Sequence, residues 1–202
     1  ILQAGVECIG DLDDSDVCEV VLLAVKALQS LSKDYVLTLS HAGFITALLD
    51  ALQVPQGLRD GLLRFVRQKN TEGLLQYCAA KNLPEENATA LSNLISLYGT
   101  LADNLPFLSD LCRNEKMEQA VKELSIVSDA LGSISEGNNA RLDFSVMNNM
   151  QYYDGLVFKG FVNGLPEGIL SGGQYGGLLQ KMGRKATAVG FAVYLNEVEY
   201  LP

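Results

Sequence analysis

The stretch VMNNMQYYDGLVFKGF at residues 146–161, continued by GILSGGQYGGLL at residues 168–179, decides how the rest of the chain is read. Its pattern predicts strand, turn, strand, glycine-rich bend and helix. Tyr152 and Tyr153 stand where one strand gives way to Asp154 and Gly155. Gly172 and Gly173 carry no Cβ, so the backbone there can approach a bound molecule closely. Tyr175 sets a polar-tipped aromatic beside the bend. These residues outline a small-molecule pocket, although a turn with core aromatics is the simpler account of them taken alone.

Upstream of the motif, Leu142, Phe144 and Val146 alternate along a strand expected over 141–147. Downstream, residues 155–161 and 168–170 form a hairpin around Asn163, Gly164, Leu165 and Pro166. A helix from Gly176 to Met182 and a last strand from Ala186 to Tyr194 follow. At the other end, residues 1–10 read as a strand. Gln3, Gly5 and Glu7 fall on one face, and Leu2, Ala4, Val6 and Cys8 on the other. After the acidic loop Asp11 to Asp16, a helix begins with Ser15 or Asp16 as its expected N-cap. Val17, Val20, Val21, Ala24, Leu28 and Leu31 then keep helical spacing. The acids favour a helix N-terminus without any metal. Tyr35 to Ser40 is a strand and Phe44 to Leu52 a helix. His41, between them, has no carboxylate or cysteine beside it in sequence, so a cap or turn role is expected.

Strand signals vanish over 56–138. Amphipathic helices are expected at about 58–68, 71–81, 85–98 and 115–131, punctuated by Pro84, Pro106 and Gly132. Leu91, Leu94, Ile95 and Tyr98 make one apolar stripe there. The chain thus divides into 1–55, 56–138 and 139–202, strands then helices then strands, an α+β arrangement with antiparallel pairing.

Composition narrows the function classes. A net charge of −9 over 202 residues argues against a broad nucleic-acid footprint. Arg59, Arg64, Arg67 and Lys69 read as a solvated helix face. Cys8, Cys18, Cys78 and Cys112 lack metal-ligand spacing and His41 is the single histidine, so no metal site is expected. Reduced thiols and a cytoplasmic setting follow. No apolar run has membrane-span length, and no signal peptide is visible. The P-loop, the dinucleotide fingerprint and the nucleophile elbow are all missing, and no cofactor is expected. The chain begins with Ile1 inside a strand and reads as part of a longer protein.

Tyr152-Tyr153, followed after a hairpin by Ser171-Gly172-Gly173-Gln174-Tyr175-Gly176-Gly177-Leu178, resembles the two histidine-recognition motifs of histidyl-tRNA synthetases. Ala188 to Val193 resembles the strand of the third class II synthetase motif, and Leu2 to Gly10 the second half of the second motif. The order along the chain is also the family's. The resemblance implies a class II aminoacyl-tRNA synthetase-like antiparallel sheet core, split into 1–55 and 139–202 by a helical insertion at 56–138. The first motif would lie upstream. It also implies histidine binding by Gln3, Glu7, Tyr152, Tyr153, Gly172, Gly173 and Tyr175. Gln3 would meet the α-amino or carboxylate group and Glu7 the imidazole, a charge-assisted hydrogen bond of about twice the neutral strength.

The departures from that family bear on catalysis. Asn148 stands where the synthetases carry the arginine that stabilises charge during adenylate formation, and losing such a group typically costs about 10²–10³ in rate. Gln151 and Gly176 stand at acids of the two histidine motifs, Gln174 at the arginine of the second histidine motif, and Glu197 at the arginine of the third class II motif. This pattern resembles the regulatory subunits of short-form ATP phosphoribosyltransferase. It implies no catalytic residues, a catalytic subunit and histidine as partners, a homodimer within a hetero-oligomer, and feedback control of histidine biosynthesis. The alternatives are the catalytic core of a diverged histidyl-tRNA synthetase and a structural paralogue without ligand.

Overall fold

A sheet ordered β1-β6-β5-β4-β2-β3 carries the molecule, in a computed structural model that describes residues 2–146 and 152–200. Its strands are β1 (Gln3–Gly10), β2 (Tyr35–His41), β3 (Ala140–Leu142), β4 (Leu156–Val162), β5 (Leu170–Gln174) and β6 (Thr187–Tyr194). Neighbours run antiparallel except β2 and β3, which are parallel. Parallel neighbours need a long crossover, and the whole helical stretch between β2 and β3 supplies it. β1 and β6 pair along their full length, from Gln3 opposite Tyr194 to Gly10 opposite Thr187.

The apolar alternation of the strands buries one face against helices. α1 (Asp14–Leu31) lays Val17, Val20, Val21, Ala24 and Leu28 on that face. Gly160 on β4 makes room for it, since a Cβ there would come within 2.6 Å of Leu28. The cap of α1 is Asp13, earlier than the sequence suggests. Its carboxylate accepts from the Ser15 and Asp16 backbone N–H groups while Asp16 returns the bond to Asp13 N–H. That reciprocal box satisfies the free donors of the first turn better than either residue alone could.

The crossover contains α2 (Ala42–Ala51), α3 (Gln56–Arg67), α4 (Thr71–Ala80), α5 (Glu85–Ser96), α6 (Leu101–Leu111) and α7 (Glu115–Gly132). α6 has no counterpart in the sequence reading, where Pro106 marks a break. Pro106 instead lies inside α6, which Thr100 caps. Interior proline removes one helical hydrogen bond, and the buried Leu101 and Leu108 hold the helix in place regardless. α5 stops at Ser96, so Tyr98 leaves the apolar stripe, and its exposed ring lies 5.0 Å from the Lys69 ammonium.

The strand expected over 141–147 is cut short. β3 ends at Leu142, and Phe144–Val146 form a 3-10 turn. Asp143 causes the bend: its Oδ1 accepts from Ser145 N–H at 2.8 Å while its own N–H donates to Leu39 O at 2.9 Å. Lys69, from the α3–α4 junction, forms an ion pair with the other Asp143 oxygen. The helical stretch is thereby tied to the turn that follows β3. Asn148 and Gln151 lie outside the described residues. Beyond β5 come α8 (Gly176–Lys181) and, after β6, α9 (Leu195–Val198). Among the described residues no helix is long and apolar enough to cross a membrane.

Candidate functional site

Strand alternation sends a second set of side chains to the face opposite α1. Register aligns them in rows. Glu7, Gly190, Gly173 and Val157 form one row across β1, β6, β5 and β4. Gly5, Ala192, Ser171 and Lys159 form the next. Gln3 and Tyr194 begin a third. The floor is therefore glycine, alanine and serine, rimmed by larger polar residues. Small residues in mid-strand weaken a sheet, and here they leave the face open.

Glu7 belongs to an exposed edge strand, yet its side chain lies inward across β6. A Cβ on Gly190 would fall 2.1 Å from its Oε2, so only glycine lets the carboxylate rest there. That oxygen accepts a hydrogen bond from the Tyr175 hydroxyl. Tyr175 precedes α8 and is buried, with its N–H donating to Ala188 O at 2.9 Å. Tyr152 stacks on Tyr175 at 5.1 Å between centroids and meets Tyr153 edge-on at 4.8 Å. Burial, then the hydrogen bond from Tyr175 to Glu7 and the Glu7 charge, push the Tyr175 phenol well above the ordinary tyrosine range. Tyr153 is pushed up to about 12, by burial first and then by Tyr152, Tyr194 and Glu7. Burial and Glu7 also raise Tyr152. All three phenols are thus hydrogen-bond donors at neutral pH, aimed at or near one carboxylate.

The two glycines of the motif do not act together. They lie within β5, not at a bend, so they address opposite faces. Only Gly173 belongs to the open face, and the Tyr153 ring occupies the space above it: a Cβ would meet Tyr153 Cδ1 at 2.7 Å. Gly172 faces the core and accommodates Phe158 and Phe191, at 2.7 and 2.6 Å from a Cβ. Both make room for aromatic rings, and Gly172 also borders the cavity described next. Gln3, Glu7, Tyr153 and Tyr175 share the open face, and Tyr152 completes the aromatic cluster.

A cavity of about 590 Å³ adjoins this cluster, bounded by Tyr153, Lys159, Glu167, Ser171, Tyr194 and Glu197 among others. Ser171 Oγ and the Tyr194 hydroxyl are 2.5 Å apart. Lys159, Ser171 and Tyr194 had no place in the sequence-derived site. Their alternation with Val157 and Gly173 was legible, but the register that brings them beside Tyr153 was not. Gln174, expected as a lost arginine, supports the backbone instead. Its Oε1 accepts from Leu156 N–H at 2.6 Å.

A wider groove of about 1070 Å³ lies at the end of the sheet, on the other side of Tyr152 and Tyr153. His41 sits there, buried, as the N-cap of α2. Its Nδ1 accepts from Phe44 N–H at 3.2 Å and its Nε2 is 2.9 Å from Glu123 of α7. Burial raises the Glu123 carboxyl, but the hydrogen bonds and charge of His41, with help from Gln119 and Lys122, outweigh it and leave Glu123 below the usual range. The cap role expected for His41 is observed. Its carboxylate comes from 82 residues away, where no local signal could reveal it. Asp154, also in the groove, accepts from Gly177 N–H.

The sequence model of the histidyl-tRNA synthetase family matches residues 1–198. The ATP phosphoribosyltransferase regulatory subunit of Halalkalibacterium halodurans is 33% identical over 195 residues, covering 96% of this chain and 49% of that protein. A crystal structure described as an ATP phosphoribosyltransferase regulatory subunit/histidyl-tRNA synthetase from Bacillus halodurans superposes with a TM-score of 0.89 at 34% identity, over 99% of this chain and 53% of that one. The ATP phosphoribosyl transferase (HisG:HisZ) complex from Thermotoga maritima gives a TM-score of 0.76 at 17% identity, over 96% and 65%, which speaks to fold alone. The chain spans about half the length of the curated relatives it matches.

Proposed function

This chain belongs to the histidyl-tRNA synthetase family, and from that premise we propose that it is part of an ATP phosphoribosyltransferase regulatory subunit that binds histidine and catalyses nothing itself. The observation that carries the reading is the Glu7 and Tyr175 pair held across Gly190, with Tyr153 and Gln3 on the same face. A carboxylate flanked by neutral phenols suits an imidazole, which can donate to one and accept from the other. Around the adjoining cavity, the described residues include Glu167 and Glu197 and no arginine. With Lys159 as the one cation among them against these two carboxylates, the lining is net negative, which favours an amino acid over a polyphosphate. The regulatory-subunit relative and the fold shared with the Thermotoga complex support a separate catalytic subunit as partner. In this reading the chain forms a homodimer within the hetero-oligomer, with 56–138 as an insertion in the core. Histidine then inhibits by binding one state of the assembly more tightly than the other.

Calorimetric titration of histidine into the full-length protein, with and without ATP, tests this. Saturable histidine binding that ATP does not alter, with no pyrophosphate exchange, is the expected result. Histidine-dependent pyrophosphate exchange would restore the synthetase reading, and no binding of either ligand would leave a structural paralogue.

A further inference from the structure

The histidine reading leaves the ligand's carboxylate without a partner, since the family's arginine position is Asn148. We infer that Lys159 supplies that charge, and that the amino acid lies diagonally across the small-residue floor from Glu7 to Lys159. This rests on the proposed histidine site and adds its missing pole.

Four observations lead there. Lys159 projects from β4 onto the open face, two residues along from Val157, which lies in the Glu7 row. It is the single basic side chain among the described residues that bound the 590 Å³ cavity. No carboxylate of the described residues forms an ion pair with it, and its ammonium lies 5.2 Å from the Phe161 ring centroid, half-buried. Directly across from it on β5 is Ser171, whose hydroxyl pairs with that of Tyr194.

These groups match the ends of a free amino acid. Because Glu7 lies across Gly190, its carboxylate stands over β6, and β6 is two strands from β4. Two strand spacings and the two-residue offset between the rows combine to roughly 12 Å, a gap that histidine with a hydrogen bond at each end can bridge. The floor between them is Ala192 and Ser171, flanked by the Tyr153 ring that lies over Gly173. At the far end, Lys159 and the hydroxyls of Ser171 and Tyr194 offer donors to a carboxylate. Gln3, opposite Tyr194, and the acids Glu167 and Glu197 offer acceptors to the ammonium. To reach the carboxylate, the Lys159 stem rotates off Gly168 and the Phe161 ring, whose face holds a cation weakly at a partly exposed site. A lysine here, in place of an arginine aimed at phosphate, also fits recognition of an amino acid that is bound and released unchanged.

The test compares histidine with histidinol, which keeps the imidazole and the amine and lacks the carboxylate. In the full-length protein, Lys159→Met is expected to weaken histidine about 10- to 100-fold, the range of a lost hydrogen bond to a charged group, and to leave histidinol unchanged. Lys159→Arg is expected to retain most of the histidine affinity, which separates loss of charge from loss of fold. Equal histidine affinity for wild type and Lys159→Met would overturn the role of Lys159 alone. A matching loss for histidinol would overturn it too, by showing a merely structural effect. Failure of the wild type to bind either compound would overturn the histidine site itself.

Discussion

Two cavities meet at Tyr153, and the smaller has the better chemistry. The groove at the sheet end is nearly twice the size, about 1070 Å³ against 590 Å³, and holds the one histidine with several acids. Its best-buried polar groups are already engaged with the backbone or with each other. Asp13 caps α1, His41 caps α2 and holds Glu123, and Asp154 binds the start of α8. On the sheet face the balance is reversed. Lys159 has no ion pair there among the described residues, and Glu7 is bound at one oxygen by a phenol. Volume measures what the packing leaves over, whereas binding needs polar groups whose partners a ligand can replace.

Gly190→Ala should disturb the sheet-face site most. The new Cβ would meet Glu7 Oε2 at 2.1 Å and the Val6 carbonyl at 2.5 Å, and backbone cannot yield as a side chain can. A loss of about 1–3 kcal/mol in urea unfolding is expected, together with displacement of Glu7. Unchanged stability would mean that Glu7 is not held across β6.

The second test lies in the groove. His41→Ala removes the α2 cap and leaves Glu123 without its partner, at an expected cost of about 1–2 kcal/mol in urea unfolding. Histidine affinity should stay as in the wild type. Should affinity fall several-fold with the fold intact, the distinction between the two cavities fails.

The smallest effect concerns the phenols. The folded-state values of Tyr152, Tyr153 and Tyr175 lie above the unfolded value of about 10. Their contribution to stability is therefore complete below that pH and is lost as pH rises through the folded values. Ultraviolet titration should find Tyr152, Tyr153 and Tyr175 resistant to ionisation beyond pH 10, with Tyr153 near 12. Glu7→Gln should lower Tyr175 only part of the way, because burial is the larger cause and remains. Full return to the ordinary value would assign the shift to Glu7 alone.

Much of this was legible in the chain. Alternation along β1 put Gln3, Gly5 and Glu7 on one face, and the hairpin from Leu156 to Gln174 follows the pattern of apolar and turn residues. The errors fall where a local signal has two meanings. Pro106 reads as a break, but α6 tolerates it because buried leucines on both sides anchor the helix. Gly172 and Gly173 read as a bend, but in a strand the same absence of Cβ makes space for Phe191 on one face and Tyr153 on the other.

The sequence alone determined the order of elements, the family resemblance and the polar face of β1, because periodicity and motif spacing are properties of neighbours along the chain. Tertiary structure decided which polar groups remain available. Tyr175 reaches Glu7 across 168 residues and His41 reaches Glu123 across 82. Lys159 faces the same floor as Glu7 only because β6 and β5 lie between their strands. Those pairings are set by sheet order and register, which depend on the energetics of the whole fold and leave no mark on any local stretch.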